Sequence, residues 1–415
     1  MRLIGNVATL FLGTVLARLL SSSALIVIAR GVGPGALGQY TATMAALSLL
    51  SPFFTLGLDG WLLYEGGRDR SSIGELTGTA LCLKVILGLL WVGGTGALAP
   101  RLNPSVFSIP LVVVGALSVW TEEIARLVWS SFKAQLRNDV TLVLMVLPWA
   151  TFLGVALLLA RQGTTRPEVY LGARLVGTTV GACVGLFWGA SRLPLRVSLW
   201  QLGTTVRSAA PFAVSVALAM VYGRADLTIV ASKLGREAAG VYGPAATLIS
   251  AFFLLPDALF GVLVPMASRS WQEDPRQTRR AVPWLVGAMG LAGIVLGGAL
   301  VIFASELVNL VYGARYQSSA DVLSLLGIVL ALRFVNVALA GILVSVGWQT
   351  TRMAVQSISA GLNVLMILAI IGRYGVMGVA GARVVGEAAL FVGYLNGLVV
   401  WSRRQRREIC HIRTS

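Results

Sequence analysis

The sequence predicts an all-α polytopic membrane protein with twelve transmembrane helices in two parallel six-helix lobes. Of the 415 residues, 56% are hydrophobic and only 12% are charged, which is about half the charge of an ordinary soluble domain. Long apolar runs recur along the chain, and a motif in the first half returns in the second. Backbone polar groups inside a bilayer must be satisfied within the segment, so the apolar runs predict helices.

Apolar runs long enough to cross a bilayer, about 20 residues, occur twelve times. The candidate segments are 4–29, 37–64, 73–98, 106–131, 139–160, 168–190, 204–232, 239–267, 281–303, 321–346, 350–371 and 377–401. The first is too long for the apolar core of a signal peptide, so we expect an uncleaved helix. Between segments, only 268–280 is predicted to form a loop of any length.

An internal repeat divides the chain into two halves. Residues 29–33 return as 231–235 and Gly38-Gln39-Tyr40 returns as Gly240-Val241-Tyr242, both at an offset of 202. Six predicted helices separate the start of the first copy from the start of the second. Because six is an even number, both halves enter the membrane in the same direction. We therefore predict an N-terminal lobe over 1–202, a C-terminal lobe over 203–402 and a basic cytoplasmic tail over 403–415.

The net charge of +16 is assigned to membrane topology, and no nucleic-acid partner is expected. With the N-terminus inside, 18 of the 33 basic residues fall in cytoplasmic segments and 8 in outer ones, although Arg161 and Arg166 oppose the trend. This bias predicts that both termini are cytoplasmic. The tail sequence Arg403-Arg404-Gln405-Arg406-Arg407 is predicted to bind anionic lipid of the inner leaflet.

No cofactor, disulfide or metal site is expected from the sequence. Cys82 and Cys183 lie in apolar segments, while Cys410 and the single histidine, His411, lie in the tail. The sequence contains none of the zinc-protease, phosphate-loop or nucleophile-elbow motifs. We therefore predict that the protein is not an enzyme.

The repeated stretch also carries a family resemblance. Ala29-Arg30-Gly31-Val32-Gly33-Pro34, followed by Gly38-Gln39-Tyr40, resembles the opening signature of the Wzx-type oligosaccharide flippases, which are polysaccharide biosynthesis proteins of the MATE/MOP superfamily. The resemblance implies a MATE-like fold around a central cavity, in the bacterial inner membrane. It also implies transfer of a polyprenyl-diphosphate-linked oligosaccharide to the outer leaflet by alternating access, with a polysaccharide polymerase or glycosyltransferases as potential partners.

Cations inside predicted spans are the candidate substrate-binding residues. A charge within a spanning helix costs about 2.5–3.5 kcal/mol on insertion scales, so it usually faces a cavity or a partner. Guanidinium groups bind phosphate oxygens bidentately and stay charged at any working pH. The alternative is that these cations pair with acids or helix carbonyls and pack the lobes together. The candidates are Arg18, Arg224, Arg333, Arg174, Arg383 and Lys84.

Acids inside predicted spans are candidates for ion coupling or gating. Glu387 lies one turn after Arg383, so it either neutralises that arginine or acts as a protonatable switch. Asp226 is the second coupling candidate. Glu122, Glu123 and Arg126 are interpreted as lying near the cytoplasmic end of the fourth helix, where they form either an inner gate or a solvated mouth with ion pairs. Asp59 and Asp257 are interpreted as lying near cytoplasmic ends too.

Four function classes fit these patterns to different degrees. A flippase for a lipid-linked oligosaccharide is favoured, and a cation-coupled exporter of small organic molecules on the same fold is the alternative. A cationic-drug site would need acids, whereas the first helix offers Arg18. A membrane-embedded glycosyl- or phospho-transferase is less favoured because Glu122-Glu123 is the only acid pair in a span. The fourth class is a non-transporting scaffold of an assembly complex, which the buried cations and the parallel repeat disfavour.

Overall fold

The structure, a computed structural model, describes the backbone of residues 2–414. Side chains are described except at 1–8, 99–100, 102, 261–262, 265, 275–279 and 403–415. The described backbone contains helices, turns and no strand. The α-helices are α1 (Arg2–Val32), α2 (Pro34–Leu50), α3 (Pro52–Thr55), α4 (Leu58–Arg68), α5 (Ile73–Leu102), α6 (Ile109–Ala134), α7 (Asn138–Arg161), α8 (Pro167–Arg192), α9 (Leu202–Phe252), α10 (Leu254–Glu273), α11 (Pro275–Ile302), α12 (Ala304–Tyr312), α13 (Ser319–Ser345) and α14 (Gln349–Thr414).

Eight of the described helical stretches are long and apolar enough to cross a membrane, or nine if the bent pair Pro34–Thr55 and Leu58–Arg68 counts as one. Two of them, Leu199–Phe260 and Gln349–Ser402, contain 62 and 54 residues. At 1.5 Å per residue each exceeds the roughly 30 Å of a hydrocarbon core. The all-α membrane fold is therefore confirmed, while the count of twelve spans stays a prediction.

The chain forms two compact units, Met1–Gly243 and Pro244–Ser415. The first unit extends past residue 202 because the start of α9 packs on α4. Ala209 lies in one apolar cluster with Leu58, Trp61 and Leu62, and a Cβ at Gly57 would touch Phe212. The lobe boundaries at 202, 203 and 402 stay predictions, and the side chains of the predicted tail lie outside the described residues.

The repeat seen in the sequence is also a repeat of backbone geometry. Gly33 has φ 85° and ψ 169°, and its counterpart Gly235 has φ 85° and ψ −173°. Such positive φ values favour glycine because it has no Cβ. At Gly33 this conformation separates α1 from α2, and at Gly235 it bends α9. The conformation supports the internal repeat at the level of the backbone.

The second pair of repeated glycines forms a backbone crossing inside the first unit. A Cβ at Gly38 would lie 2.5 Å from the backbone nitrogen of Gly240 and would overlap the carbonyl oxygen of Arg236. A Cβ at Gly240 would overlap the carbonyl oxygen of Pro34. These close approaches require glycine at both positions, so the repeated motif serves packing at this crossing.

One local prediction is wrong, and one predicted segment is interrupted. Residues 268–280 are helical apart from Asp274, because α10 continues to Glu273 and Pro275 opens α11; proline suits the first turn of a helix, where its missing N–H is not needed. The predicted segment 37–64 is broken at Pro52 and again at Leu56-Gly57, with a bend of 44°.

In the second unit, α13 is the buried central helix. Leu323, Leu326 and Leu330 have no solvent exposure. Glycines on α11 and α13 let the two backbones approach, because a Cβ at Gly297 would lie 2.5 Å from the carbonyl oxygen of Gly327. Small residues permit such close helix packing within membranes, and this packing fixes the position of the polar side chains on α13.

Candidate functional site

A buried lysine anchors an ion network in the first unit. The Lys84 ammonium donates to Oδ1 of Asp59 at 2.8 Å and to Oε2 of Glu123 at 3.1 Å. It also donates to the carbonyl oxygen of Glu123 at 2.9 Å. The lysine side chain has no solvent exposure. A charge buried this deeply needs paired and hydrogen-bonded partners, and α4 and α6 supply them.

The same network continues along α6 to α8. Arg126 contacts Glu122 at 2.7 Å and Glu123 at 3.4 Å. Arg174 contacts the other Glu122 oxygen at 2.5 Å, and its guanidinium lies 4.8 Å from the centre of the Trp149 ring, within the range of a cation–π contact. We call these six residues, three acids and three cations, the first-unit ion network; its members are Asp59, Lys84, Glu122, Glu123, Arg126 and Arg174.

The position of this network corrects an expectation. Glu122, Glu123 and Arg126 lie midway along α6 (Ile109–Ala134), and not near the end that was predicted to be cytoplasmic. Asp59 lies at the same level because it contacts Lys84, which is well inside α5. Paired charges must share a depth in the membrane, so Asp59 belongs to the middle of the bundle as well. Their role as an inner gate stays a prediction, without support from their position.

The second unit contains a smaller network around Arg333. Its guanidinium contacts Asp257 at 3.3 Å and Glu387 at 3.5 Å. Asn336, one turn further along α13, donates to Oε2 of Glu387 at 2.7 Å and to its carbonyl oxygen at 2.9 Å. Glu387 is almost fully buried, with 1% exposure. We call Asp257, Arg333, Asn336 and Glu387 the second-unit ion network.

Two arginines of the second unit contact the same aromatic ring. The guanidinium carbons of Arg333 and Arg383 lie 5.3 Å and 5.9 Å from the centre of the Phe253 ring.

Asp257, near Arg333, is mid-bundle like Asp59, so its predicted place at a cytoplasmic end is also wrong. The partner that the sequence offered for Glu387 was Arg383, on its own helix; the structure adds Arg333 from α13.

The two networks occupy matching helices of the sequence repeat with their charges exchanged. In the first half, the fourth segment supplies the acid, Glu122, and the sixth supplies the base, Arg174. In the second half, the fourth segment supplies the base, Arg333, and the sixth supplies the acid, Glu387. The second segment of each half supplies an aspartate, Asp59 or Asp257. Both halves therefore pair an acid with a base between the fourth and sixth segments, but the segment that supplies the acid is exchanged.

Arg18 differs from Lys84, Arg174 and Arg333, the candidate cations of the two ion networks. It is exposed, and within the part of the chain that the structure describes no acid pairs with it. One stripe of α1, including Gly13 and Ala17, is buried, and a Cβ at Gly13 would lie 3.5 Å from Leu142 of α7. A second stripe exposes apolar side chains, which are Leu12, Leu16 and Leu19.

The position of Arg18 on the helix turns it away from both stripes of α1. At 100° per residue, Arg18 points about 100–160° away from the exposed leucines. It shares its face with Thr14 and Ser22, one turn before and one turn after, and with the exposed Phe11, two turns before. An exposed arginine within a membrane helix usually faces a water-filled cavity or an anionic partner.

Arg224 and Asp226 lie on the part of α9 that precedes the bend at Gly235. Arg224 is exposed, whereas Asp226 is buried with 3% exposure. The Tyr242 hydroxyl donates to Asp226 at 2.7 Å, and Tyr242 follows the bend. Asp226 therefore joins the two arms of α9, a role that its position beside Arg224 in the sequence did not suggest.

The pairings between helices were missed from the sequence because their partners are far apart in the chain. Lys84 and Glu123 are 39 residues apart, and Arg174 and Glu122 are 52 apart. One signal could have indicated them: each half carries an aspartate in its second segment and an opposed charge pair in its fourth and sixth. The sequence also repeats Gly172-Ala173-Arg174 as Gly381-Ala382-Arg383, and this repeated arginine hides the exchange of charge.

Comparison with known proteins places the chain in a family. A family model described as "Polysaccharide biosynthesis protein" matches residues 27–321. The chain belongs to this polysaccharide biosynthesis protein family. The match includes the repeated motif, the first-unit ion network and α9. Among curated proteins, none matches this sequence at a significant level.

Solved structures with the same fold are transporters and a flippase. An inward-facing multidrug resistance MATE family transporter of the MOP superfamily matches with a TM-score of 0.76 at 14% identity, covering 94% of this chain and 96% of the other. The lipid II flippase MurJ in an inward closed conformation matches with a TM-score of 0.73 at 12% identity, covering 94% and 87%. A MOP superfamily transporter from Pyrococcus furiosus, whose title notes a reverse polarity of its binding pocket, matches with a TM-score of 0.66 at 13% identity, covering 96% and 95%. The MATE-like fold predicted from the sequence is confirmed.

Proposed function

We propose that this protein moves a polyprenyl-diphosphate-linked oligosaccharide from the inner to the outer leaflet of the bacterial inner membrane by alternating access. The observation that carries the proposal is Arg18, an exposed guanidinium within an apolar membrane helix. A diphosphate headgroup offers the oxygen pairs that such a group binds. The family and the lipid II flippase named among the structural neighbours support a lipid-linked glycan as the cargo.

The proposed headgroup site uses Arg18 and Arg224 of the first unit. Both are exposed side chains on membrane helices. Arg174, Arg333 and Lys84 belong to the ion networks, and we assign them the task of holding helices in register. Arg383 lies beside the second-unit network and is proposed as a secondary contact for acidic sugars.

For ion coupling we propose Glu387 ahead of Asp226. Glu387 is buried between Arg333 and Asn336, so taking up a proton would remove the charge that holds Arg333. Asp226 is held by a hydroxyl group from the other arm of its own helix. A change of charge at Glu387 therefore weakens or strengthens the contact between α13 and α14. Such a change in a helix contact can drive a conformational change.

Export of small organic cations is the competing function, since a multidrug transporter shares the fold. It needs a carboxylate that is free to meet the drug. Asp59, Glu122, Glu123 and Glu387 are each paired with a cation. The same pairing weakens the transferase alternative, because Glu122 and Glu123 are engaged by Arg126 and not by each other.

The test is a flipping assay in proteoliposomes. Protein is reconstituted with a fluorescent polyprenyl-diphosphate glycan, and exposure of the label on the far leaflet is followed with a membrane-impermeant quencher. We expect the quenchable fraction to rise with time only in vesicles that contain the protein. Equal rates in protein-free vesicles would refute the flippase. Uptake of a cationic dye without glycan movement would favour the exporter.

A further inference from the structure

The two copies of the repeated motif pack against each other as a matched pair of helices. Three residues at the start of α2 each lie against the residue 202 positions later, which is their counterpart in the repeat. These pairs are Gly35 with Glu237, Gly38 with Gly240, and Thr41 with Gly243. Successive contacts are three residues apart, about one helical turn, so the two segments run parallel and in register. We call residues 34–41 and 236–243 the repeat pair.

The contacts within the repeat pair are reciprocal. A Cβ at Gly38 would overlap the carbonyl oxygen of Arg236, and a Cβ at Gly240 would overlap that of Pro34. Pro34 and Arg236 are themselves 202 residues apart. Reciprocal contacts of this kind arise where a two-fold axis passes between two matching surfaces. For parallel repeats that axis lies along the membrane normal, so the repeat pair lies on the axis of the internal duplication.

The repeat pair lies where the chain reaches the predicted outer side of the membrane. With the N-terminus inside, α1 ends and α2 begins there, and the loop between α5 and α6 is on the same side. This loop contacts both helices of the pair. The Gln39 amide donates to the Ser105 carbonyl oxygen at 2.8 Å, and the Asn103 amide donates to the Ser232 carbonyl oxygen of α9 at 3.4 Å.

A carboxylate adds an electrostatic contact to the pair. Pro34 opens α2, so Gly35 lies in its first turn, at the positive end of the helix dipole. A Cβ at Gly35 would overlap the Glu237 carboxylate of α9, whose side chain is 72% exposed and also contacts Arg236 at 3.5 Å. A negative charge stabilises a helix N-terminus, so Glu237 favours the closed contact between the two helices.

We propose that the repeat pair is the outer gate of the transporter, closed in this structure, and that it must part for the cargo to leave. The inference rests on the proposed function for the direction of transport. The glycines make the closed gate tight because the two backbones meet without side chains between them. Glu237 acts as a latch on the gate, at a position that water reaches.

The first experiment locks the repeat pair with a disulfide. A Cβ at Gly243 would lie 3.4 Å from the Cβ of Thr41, close to the roughly 3.5–4.5 Å that a disulfide needs. Thr41→Cys and Gly243→Cys are combined in full-length protein whose native cysteines are changed to serine. Glycan flipping is measured in proteoliposomes before oxidation, after oxidation and after reduction. We expect oxidation to stop flipping and reduction to restore it, whereas undiminished flipping by fully cross-linked protein would overturn the proposal.

A second cysteine pair is the matched control for the cross-link. Thr77→Cys and Ser131→Cys join α5 to α6, where the two hydroxyl oxygens are 2.8 Å apart. Both helices belong to the first unit, and neither is part of the repeat pair. Oxidation of this control should leave flipping unchanged.

A cysteine at position 41 also reports opening directly. Thr41 is only 8% exposed, so a membrane-impermeant maleimide reaches Thr41→Cys only when the pair parts. Gln162→Cys, at an exposed position on the predicted outer side, gives the fraction of molecules that the reagent can reach. We expect Thr41→Cys to be labelled to the same final extent but more slowly. Absence of labelling at Thr41→Cys would overturn the gate.

Neutralising the latch should speed this labelling. Glu237→Gln keeps the size of the side chain and removes its charge, so Thr41→Cys should be labelled about two- to five-fold faster, the effect of one carboxylate at a helix N-terminus. Glu168→Gln, in the first turn of α8, is the control and should leave the rate unchanged. Equal rates with Glu237 and with Glu237→Gln would exclude the latch.

Flipping and labelling on the same vesicles separate this inference from the proposed function. Flipping by the cross-linked protein would overturn the gate alone. Labelling of Thr41→Cys in vesicles that do not flip the glycan would support the gate and refute the flippase.

Discussion

The Lys84 ammonium lies 2.8 Å from Asp59 and 3.1 Å from Glu123, at the centre of a membrane helix bundle, with no solvent exposure. The lysine and its two carboxylates come from three helices, α5, α4 and α6. Each charge alone would be costly to bury, and the attraction between the lysine and the two carboxylates offsets that cost. The arrangement links stability, helix register and charge balance in the first unit, and it can be tested directly.

Removing the lysine should destabilise the first unit. Lys84→Met leaves Asp59 and Glu123 without their shared cation, and breaking a buried pair in this way costs about 3–5 kcal/mol. Thermal unfolding in detergent, followed by fluorescence-detected size exclusion, measures the loss. Lys233→Met changes an exposed lysine of the same unit and should behave as wild type. Adding Asp59→Asn to Lys84→Met should recover part of the loss; a further loss instead would contradict this assignment.

The contact between α6 and α8 should show energetic coupling. In a double-mutant cycle with Glu122→Gln and Arg174→Gln, we expect a coupling energy of about 0.5–3 kcal/mol, as for other contacting charges. Unfolding by sodium dodecyl sulfate provides the free energies. The surface pair Arg269 and Glu273, whose side chains are 81% and 62% exposed, is the control and should couple by less than about 1 kcal/mol. Additive effects at Glu122 and Arg174 would refute the pair.

Neutralising Glu387 should uncouple transport from the proton gradient. Glu387→Gln keeps the size of the side chain but cannot change its charge, so Arg333 loses a switchable partner. Flipping rates with and without an imposed pH gradient are compared for wild type and variant, and the variant should respond to neither sign of gradient. Glu306→Gln removes an exposed acid of α12 and should leave the response intact. A variant with the wild-type response would exclude Glu387 from coupling.

A methyl group at the glycine crossing should destabilise the first unit. At Gly38 it would overlap the Arg236 carbonyl oxygen and crowd the nitrogen of Gly240, so Gly38→Ala should cost about 1–3 kcal/mol through overpacking. Gly172→Ala, in the helix α8, meets nothing within 4 Å and should be neutral or slightly stabilising. Thermal unfolding distinguishes the two. A stable Gly38→Ala protein would show that the helices can separate at this point.

Arg18 should matter for transport and not for folding. Losing a charge-assisted hydrogen bond of about 1.5–3 kcal/mol predicts that Arg18→Ala lowers flipping about ten- to hundred-fold. Arg18→Lys keeps the charge without the bidentate geometry. Its flipping rate should lie between that of Arg18→Ala and that of wild type. Arg161→Ala, at the end of α7, is the control. Normal flipping by Arg18→Ala at normal expression would refute its role in headgroup binding.

The backbone repeat could be predicted closely from the sequence. The match of 29–33 with 231–235 indicated a common turn, and Gly33 and Gly235 share it. Glycine is favoured there because the backbone has a positive φ, which is a local property. The glycine in the sequence therefore predicts the conformation of the turn. The loop expected at 268–280 shows the opposite case. Its charges suggested an irregular segment, but charged residues form helices readily and only Asp274 interrupts them.

The sequence by itself determined that this chain is a helical membrane protein with an internal duplication. These properties follow from the length and polarity of contiguous segments, because a bilayer acts on each segment separately. The tertiary structure decided which buried charges are neutralised. Lys84, Arg174 and Arg333 carry the same charge as Arg18 and lie in similar apolar surroundings along the chain. Only the packing of distant helices places carboxylates against the first three, since Coulomb attraction depends on distance in space and not on distance in sequence.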